Sequence, residues 1–297
     1  IFGGGTCNTE FEFLTGYSMS SLLPGSSVYT FYVNNEIEHL PHLFRDHGYR
    51  TVALHSFDGD WWDRREKYPM LGFNEFYTRD DFDQSARYVR RYISDMSTFQ
   101  KITDIYEESE EPLFMFCVTM QNHADFSARY DNMTYDIKIT DMADSEGNPY
   151  NYAENYISLE RESDDALQYL IEYFRNTDEP TIIVLFGDHY PTLDSGFYDA
   201  LLQTDLGGIS VEESLPIYET PYFIWANFDM SEGGTVINTK PGDHGVTSPN
   251  FLGQTILDLS GMPSPESRAC LRVLQRRISA MNALAVYDKY GTPHFDI

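Results

Sequence analysis

Basic residues are scarce in this chain: 20 Lys and Arg stand against 47 Asp and Glu, a formal net charge of −27. That sets aside a nucleic-acid-binding module, which needs a basic footprint to release counterions from phosphates. Anionic substrates are also repelled at long range. An enzyme of this composition that handles phosphate needs a local cation, and a bound metal supplies one; acidity serves solubility equally well. Cysteine is nearly absent, and Cys7, Cys117 and Cys270 are an odd number that makes no disulfide framework. Long apolar runs are missing too. The longest, Leu113 to Met120, is far too short to cross a bilayer, and no signal peptide stands at the start. Repeats and low-complexity tracts are lacking. The chain opens on Ile-Phe-Gly-Gly-Gly with no Met and no leading strand, which reads as a fragment of a longer protein.

What is present points to a folded enzyme. Hydrophobic residues make up 41% of the 297, enough to bury a core and set disorder aside. Tyr and Phe number 22 and 20; they pack first, and can line sugar-binding clefts. A Gly-rich loop within residues 1–30 runs into a short helix. Glu36 to His47 reads as a helix stopped by Gly48, and Arg50 to Leu54 as a buried strand. Residues 85–106 read as a helix, Leu113 to Met120 as a second strand and 124–150 as a polar insertion. A long helix spans 151–175. Strands over Thr181 to Phe186 and 221–226, a helix over 249–260 and a helical tail over 265–287 complete the pattern. Alternating helices and apolar strands predict one α/β domain over 1–297, with a mainly parallel central sheet flanked by helices. In such sheets the active site lies beyond the carboxyl ends of the strands.

Three of those ends carry His-bearing loops. Gly187-Asp188-His189 follows the third strand. Asp and His together suit a divalent metal, and Gly-Asp also suits a plain turn. In Gly3-Gly4-Gly5-Thr6-Cys7-Asn8, Thr6 is an N-cap or a nucleophile at a helix start, where the dipole helps an incoming phosphoryl group; Cys7 competes with it. His55 ends the first strand and leads into Trp61, Trp62 and Arg64. Arg grips phosphate in a bidentate way, Trp stacks on a sugar or glycerol face, and the alternative for Trp61 is a cap over the core. His123, after the second strand, donates to a phosphate oxygen or is structural. His39, His42, His47 and His294 read as solvated or structural, and His244 is undecided.

Taken together, GGGTCNTEFEFLTG, HLFRDHGYRTVALH, WWDRREKYPMLGFNEFY, TMQNHADF, TIIVLFGDHY and TSPNFLGQTILDLSG resemble, in order and spacing, the extracellular catalytic domain of the lipoteichoic acid synthase family, within the sulfatase and alkaline phosphatase superfamily. The resemblance implies an alkaline-phosphatase-like fold. It implies Thr6 as nucleophile and metal ligand, Asp188 and His189 as further ligands, His123 on the substrate phosphate, and His55, Trp62 and Arg64 around the glycerol phosphate. It implies Mn2+ or Mg2+, an anionic glycerophospholipid donor, a teichoic acid or glycan acceptor, and an upstream membrane anchor outside a bacterial cell. Two departures stand out. Gly5-Thr6-Cys7 replaces the usual Lys-Thr-Ser. The family's remaining ligand, a Glu at the end of a first strand, belongs to a stretch before residue 1. The Cys-x-Pro/Ala-x-Arg signature, in which sulfatases convert Cys to an aldehyde hydrate, is absent, because Cys7 is followed by Asn-Thr-Glu.

Overall fold

The computed structural model describes residues 5–23, 25–36, 39–194, 196–230 and 242–295; Gly3 and Gly4 of the opening Gly run lie outside them. Helices α1 (Thr6–Thr15), α2 (Val28–Phe31) and α3 (Leu40–Asp46) precede strand β1 (Arg50–His55). Next come α4 (Arg64–Met70), β2 (Glu75–Tyr77), the hairpin β3 (Tyr88–Val89) and β4 (Tyr92–Ile93), α5 (Asp95–Glu107) and β5 (Leu113–Val118). Then follow α6 (Asn151–Arg175), β6 (Ile182–Phe186), α7 (Phe197–Leu202), α8 (Val211–Ser214), β7 (Tyr222–Ala226), α9 (Pro249–Leu259), α10 (Ala269–Gln275), β8 (Ile278–Met281), β9 (Val286–Asp288) and β10 (Pro293–His294).

The fold is mixed α/β, with a parallel sheet flanked by helices. Its strand order is β2-β1-β5, and β1 pairs with β5 from Arg50–Leu113 through His55–Val118. Strand β6 pairs antiparallel with β7, so the parallel part of the sheet is smaller than the sequence suggested. Alternation along the strands sets two layers of packing. Phe114, Phe116, Val184 and Phe186 join α1, α3 and α9 in the main core. Ile183 and Trp225 turn the other way, onto Phe99 of α5 and Leu170 and Phe174 of α6. Phe13 of α1 spans the two sheets, with its ring 5.8 Å from Phe116 and 4.9 Å from Phe186. Helix α9 meets α1 backbone to backbone: a Cβ on Gly253 would lie 2.2 Å from the Phe13 carbonyl oxygen. Any side chain there pushes on α1, and with it on Thr6.

Two helix expectations change. Residues 85–106 begin with the β3–β4 hairpin, and helix starts only where the Ser94 side chain accepts from the Ser97 amide. The tail is a short helix followed by three antiparallel strands. Its apolar spacing fits both periods, but Asn282 Oδ1 accepts from the Leu284 and Ala285 amides and reverses the chain between β8 and β9.

Buried histidines make the fold acid-sensitive. His39 is 0% and His55 2% exposed, so both rings are buried, and His39 is structural rather than solvated. Burial, then the neighbouring His42 and Arg64 respectively, lowers their pKa from 6.5 to about 3 and about 4. Both rings stay neutral where the unfolded chain takes up protons. Each therefore stabilises the fold in full above pH 6.5, and that contribution is lost as pH falls through the folded value. Asp95 opposes them, because burial raises its carboxyl to about 6 and it favours the fold as pH drops below that. Urea unfolding is expected to show roughly 2–3 kcal/mol less stability at pH 5 than at pH 7, roughly 2 from each histidine less roughly 1 from Asp95. A flat profile would mean that the rings already carry charge in the folded protein.

Candidate active site

Thr6 is the first residue of α1, after Gly5 in a left-handed turn. Its Oγ1 donates to Asp188 Oδ2 at 2.6 Å, and Thr9 Oγ1 donates to the Asp188 carbonyl at 3.2 Å. The hydroxyl therefore points at the end of β6 rather than capping its own helix. Cys7 turns the opposite way into the core. It is 0% exposed, and burial pushes its thiol pKa up, an environment that disfavours a reactive thiolate. The β6 end is locked from behind: Thr220 Oγ1 donates to the Gly187 carbonyl at 2.7 Å, and a Cβ on Gly187 would meet Thr220 at 2.9 Å.

His189 completes the group. Its Nδ1 lies 2.9 Å from the Tyr190 carbonyl, which can only accept, so the proton sits on Nδ1. The lone pair on Nε2 then faces Asp188 Oδ2 at 3.2 Å. Two acceptors aimed at each other need a cation between them, either a proton or a metal. Thr6 Oγ1, Asp188 Oδ2 and His189 Nε2 together are a compact O, O, N donor set that fits a divalent ion, with His189 fixed through its other nitrogen. Among the described residues no cluster of three His, Cys, Asp or Glu side chains is set to hold a metal; a third donor here would be the Thr6 hydroxyl.

The other expected residues lie at different depths. His55 Nδ1 faces the Val118 carbonyl at 2.9 Å, which leaves Nε2 of a neutral ring as an acceptor. Trp62 is half-buried against the main core in a left-handed conformation (φ 60°), and Asp63 follows at φ 56°. Trp61 does not cap the core, being 54% exposed and edge-on to Phe57. His123 is exposed on the loop after β5, with Nδ1 on the Ala124 carbonyl and its ring 6.1 Å from Tyr92. From His123 a row of rings runs through Tyr92 and Phe57 out to Trp61.

Arg64, expected on the substrate phosphate, is 2% exposed, and its donors go to Glu10 and the Trp61 carbonyl. Glu10 also accepts from Tyr29 at 3.0 Å and Tyr68 at 2.8 Å. Burial alone would raise the Glu10 carboxyl; Arg64, more than offsetting that, holds it below its ordinary value. Glu10 lies one helical turn beyond Thr6 on α1, so this buried pair ties the helix that begins at Thr6 to α4. Sequence reasoning missed Glu10, whose signal was its place four residues after Thr6. It also missed Tyr156 of α6, which packs on Phe126 and whose phenol pKa is pushed up by burial, then by Glu160, with Asp188 contributing.

A hydroxyl at a helix start, held on an Asp-His pair at a strand end, is an arrangement suited to ester transfer on an α/β frame. The chain belongs to the sulfatase family, whose model matches residues 1–262, and it is a lipoteichoic acid synthase-like member of the alkaline phosphatase superfamily. It is 34% identical over 273 residues to a protein of Rhizobium meliloti (strain 1021) named for cyclic beta-1,2-glucan modification, covering 89% of this chain and 40% of that one. It is 24% identical over 249 residues to lipoteichoic acid synthase of Staphylococcus aureus (strain USA300), covering 81% and 35%. The chain thus spans well under half the length of these relatives. It shares its fold with the Streptococcus pyogenes phosphoglycerol transferase GacH, solved with sn-glycerol-1-phosphate, at TM-score 0.70 and 22% identity over 93% of this chain and 67% of that one.

Proposed function

We propose that this chain is the catalytic part of a metal-dependent phosphoglycerol transferase, moving glycerol phosphate from a phosphatidylglycerol-type lipid to a glycan. The observation that carries this reading is the Thr6 hydroxyl 2.6 Å from Asp188 Oδ2, the same oxygen that faces His189 Nε2. Thr6 Oγ1 forms a bond to phosphorus, the bond to the diacylglycerol oxygen breaks, and the hydroxyl proton ends on diacylglycerol. An acceptor hydroxyl then attacks the same phosphorus, the bond from Thr6 Oγ1 to phosphorus breaks, and the acceptor's proton ends on Thr6. Mn2+, or Mg2+, held by Thr6, Asp188 and His189 would supply charge stabilisation on the phosphate oxygens. With Nδ1–H on the Ala124 carbonyl, His123 can hold a phosphate oxygen from the β5 side only through a protonated Nε2. His55 Nε2, an acceptor on a neutral ring, suits a glycerol hydroxyl rather than a phosphate. Trp62 walls the pocket, and Arg64 acts from behind through Glu10.

A neutral glycan is favoured over a polyanionic polymer. The exposed Trp61 ring, flanked by Asp58, Asp60 and Asp63, can stack on a sugar and accept its hydroxyls, while the charge of −27 repels polyphosphate. The 34% identical relative is named for glucan modification. A lipid donor puts the reaction at a membrane, here the outer face of a bacterial one. No helix among the described residues is long and apolar enough to cross it. With the full-length protein, phosphatidylglycerol vesicles and cyclic β-1,2-glucan, diacylglycerol release and glycerol phosphate on the glucan are expected to rise together and to require Mn2+. Diacylglycerol release with unmodified glucan would instead make the enzyme a hydrolase.

A further inference from the structure

Arg90 is an expensive residue for its position. It is the first turn residue of the β3–β4 hairpin, with φ 54°, a conformation that favours glycine. It is 6% exposed, and no carboxylate among the described residues lies within ion-pair distance of its guanidinium, whereas neighbouring Arg91 pairs with Asp125. A strained backbone and an unpaired buried cation persist only where other contacts over-determine them.

The hydrogen bonds that its guanidinium donates all go to one loop. Arg90 Nη2 donates to the carbonyls of Gln121 at 2.6 Å and His123 at 2.7 Å, and Nη1 donates to that of Asp125 at 2.7 Å. The guanidinium lies 5.4 Å from the centre of the Tyr92 ring and 5.3 Å from that of Phe126. Tyr92 Oη donates to the Ala124 carbonyl at 3.1 Å, and Asn155 holds the Phe126 carbonyl at 2.7 Å. Asn132 Nδ2 donates back to the Arg90 carbonyl at 2.9 Å and closes the clamp. With the carbonyls of the loop turned inward onto these donors, the His123 side chain is left facing out. A planar fork of donors can meet three carbonyls at once, which a lysine ammonium on its flexible stem matches poorly.

We infer that Arg90 is a positioning residue that fixes the 121–126 loop and so presents His123 to the substrate phosphate. The inference rests on the reading of His123 given above. Arg90→Gly isolates the side chain, because glycine accepts the turn conformation without strain. In the full-length enzyme this variant is expected to lower kcat/KM for the lipid donor by about 100-fold, the scale on which a displaced group acts. In a His123→Ala background the same change should cost less than about 2-fold, and millimolar guanidinium should restore part of the activity of the single variant. Equal losses in both backgrounds would overturn the inference. A second readout needs no turnover. In histidine-labelled protein, the His123 ring resonance should shift or broaden in Arg90→Gly while those of His39 and His55 stay in place. An unmoved His123 signal would overturn the inference even if the transferase reading stands. A moved signal in a protein that turns over no lipid would sink that reading and leave the clamp intact. Arg90→Met, which keeps an apolar stem between Tyr92 and Phe126, replaces the glycine variant if that one does not fold.

Discussion

Thr6→Ala is expected to lower kcat/KM for phosphoglycerol transfer by roughly 10^4-fold or more, the scale seen when a covalent nucleophile is removed. The loss should sit in kcat, since the lipid is held by other groups. The fold should survive. Thr6 is half-buried, and its hydroxyl makes one side-chain hydrogen bond, to Asp188, worth about 1 kcal/mol. The neighbouring thiol offers no detour, because Cys7 faces the core. Thr6→Ser keeps the hydroxyl on the same carbon and should retain measurable transfer. Steady-state kinetics beside a thermal melt separates the two effects; a Thr6→Ala protein that turns over normally removes the nucleophile from the account.

Arg64→Met should cost about 3–5 kcal/mol of folding stability, the scale for breaking a buried pair from one side. The reason is what stays behind. Glu10 would be left in the core with only the Tyr29 and Tyr68 hydroxyls in place of a guanidinium that is itself 2% exposed, so it either holds an unpaired charge or takes up a proton, and both cost stability. Replacing both partners, Glu10→Leu with Arg64→Met, should recover much of the loss, since two matched apolar groups carry no unpaired charge. Urea titrations of the single and double variants measure this. A loss below about 1 kcal/mol would place the pair among exposed ion pairs and return Arg64 to the substrate pocket.

Those two residues mark which side-chain meetings the sequence reading anticipates and which it does not. Thr6, Asp188 and His189 were legible because each follows a local signal: a Gly turn opening a helix, and an apolar strand that ends abruptly in charge. Their meeting across 182 positions in the chain is a property of strand ends in α/β sheets, which the element order already implies. Arg64 was legible as a residue, but its pairing with Glu10 was not. Whether an arginine faces ligand or core depends on a carboxylate 54 positions away, and nothing local marks Glu10 as its partner. Arg90 was invisible for a stronger reason, because its partners are backbone carbonyls and any sequence supplies those. The hairpin and the tail strands were lost to a wrong period: short apolar spacings fit helix and strand alike until Ser94 and Asn282 decide where a helix begins and where the chain turns back.

The central claim is that Thr6 carries the transferred group, and a covalent adduct tests it most directly. Full-length enzyme incubated with phosphatidylglycerol and Mn2+, without glycan acceptor, then quenched in acid and digested, should yield a glycerophosphate on the peptide containing Thr6 that disappears when acceptor is added. Rapid lipid turnover with no adduct on that peptide, or with the adduct on another residue, would contradict it.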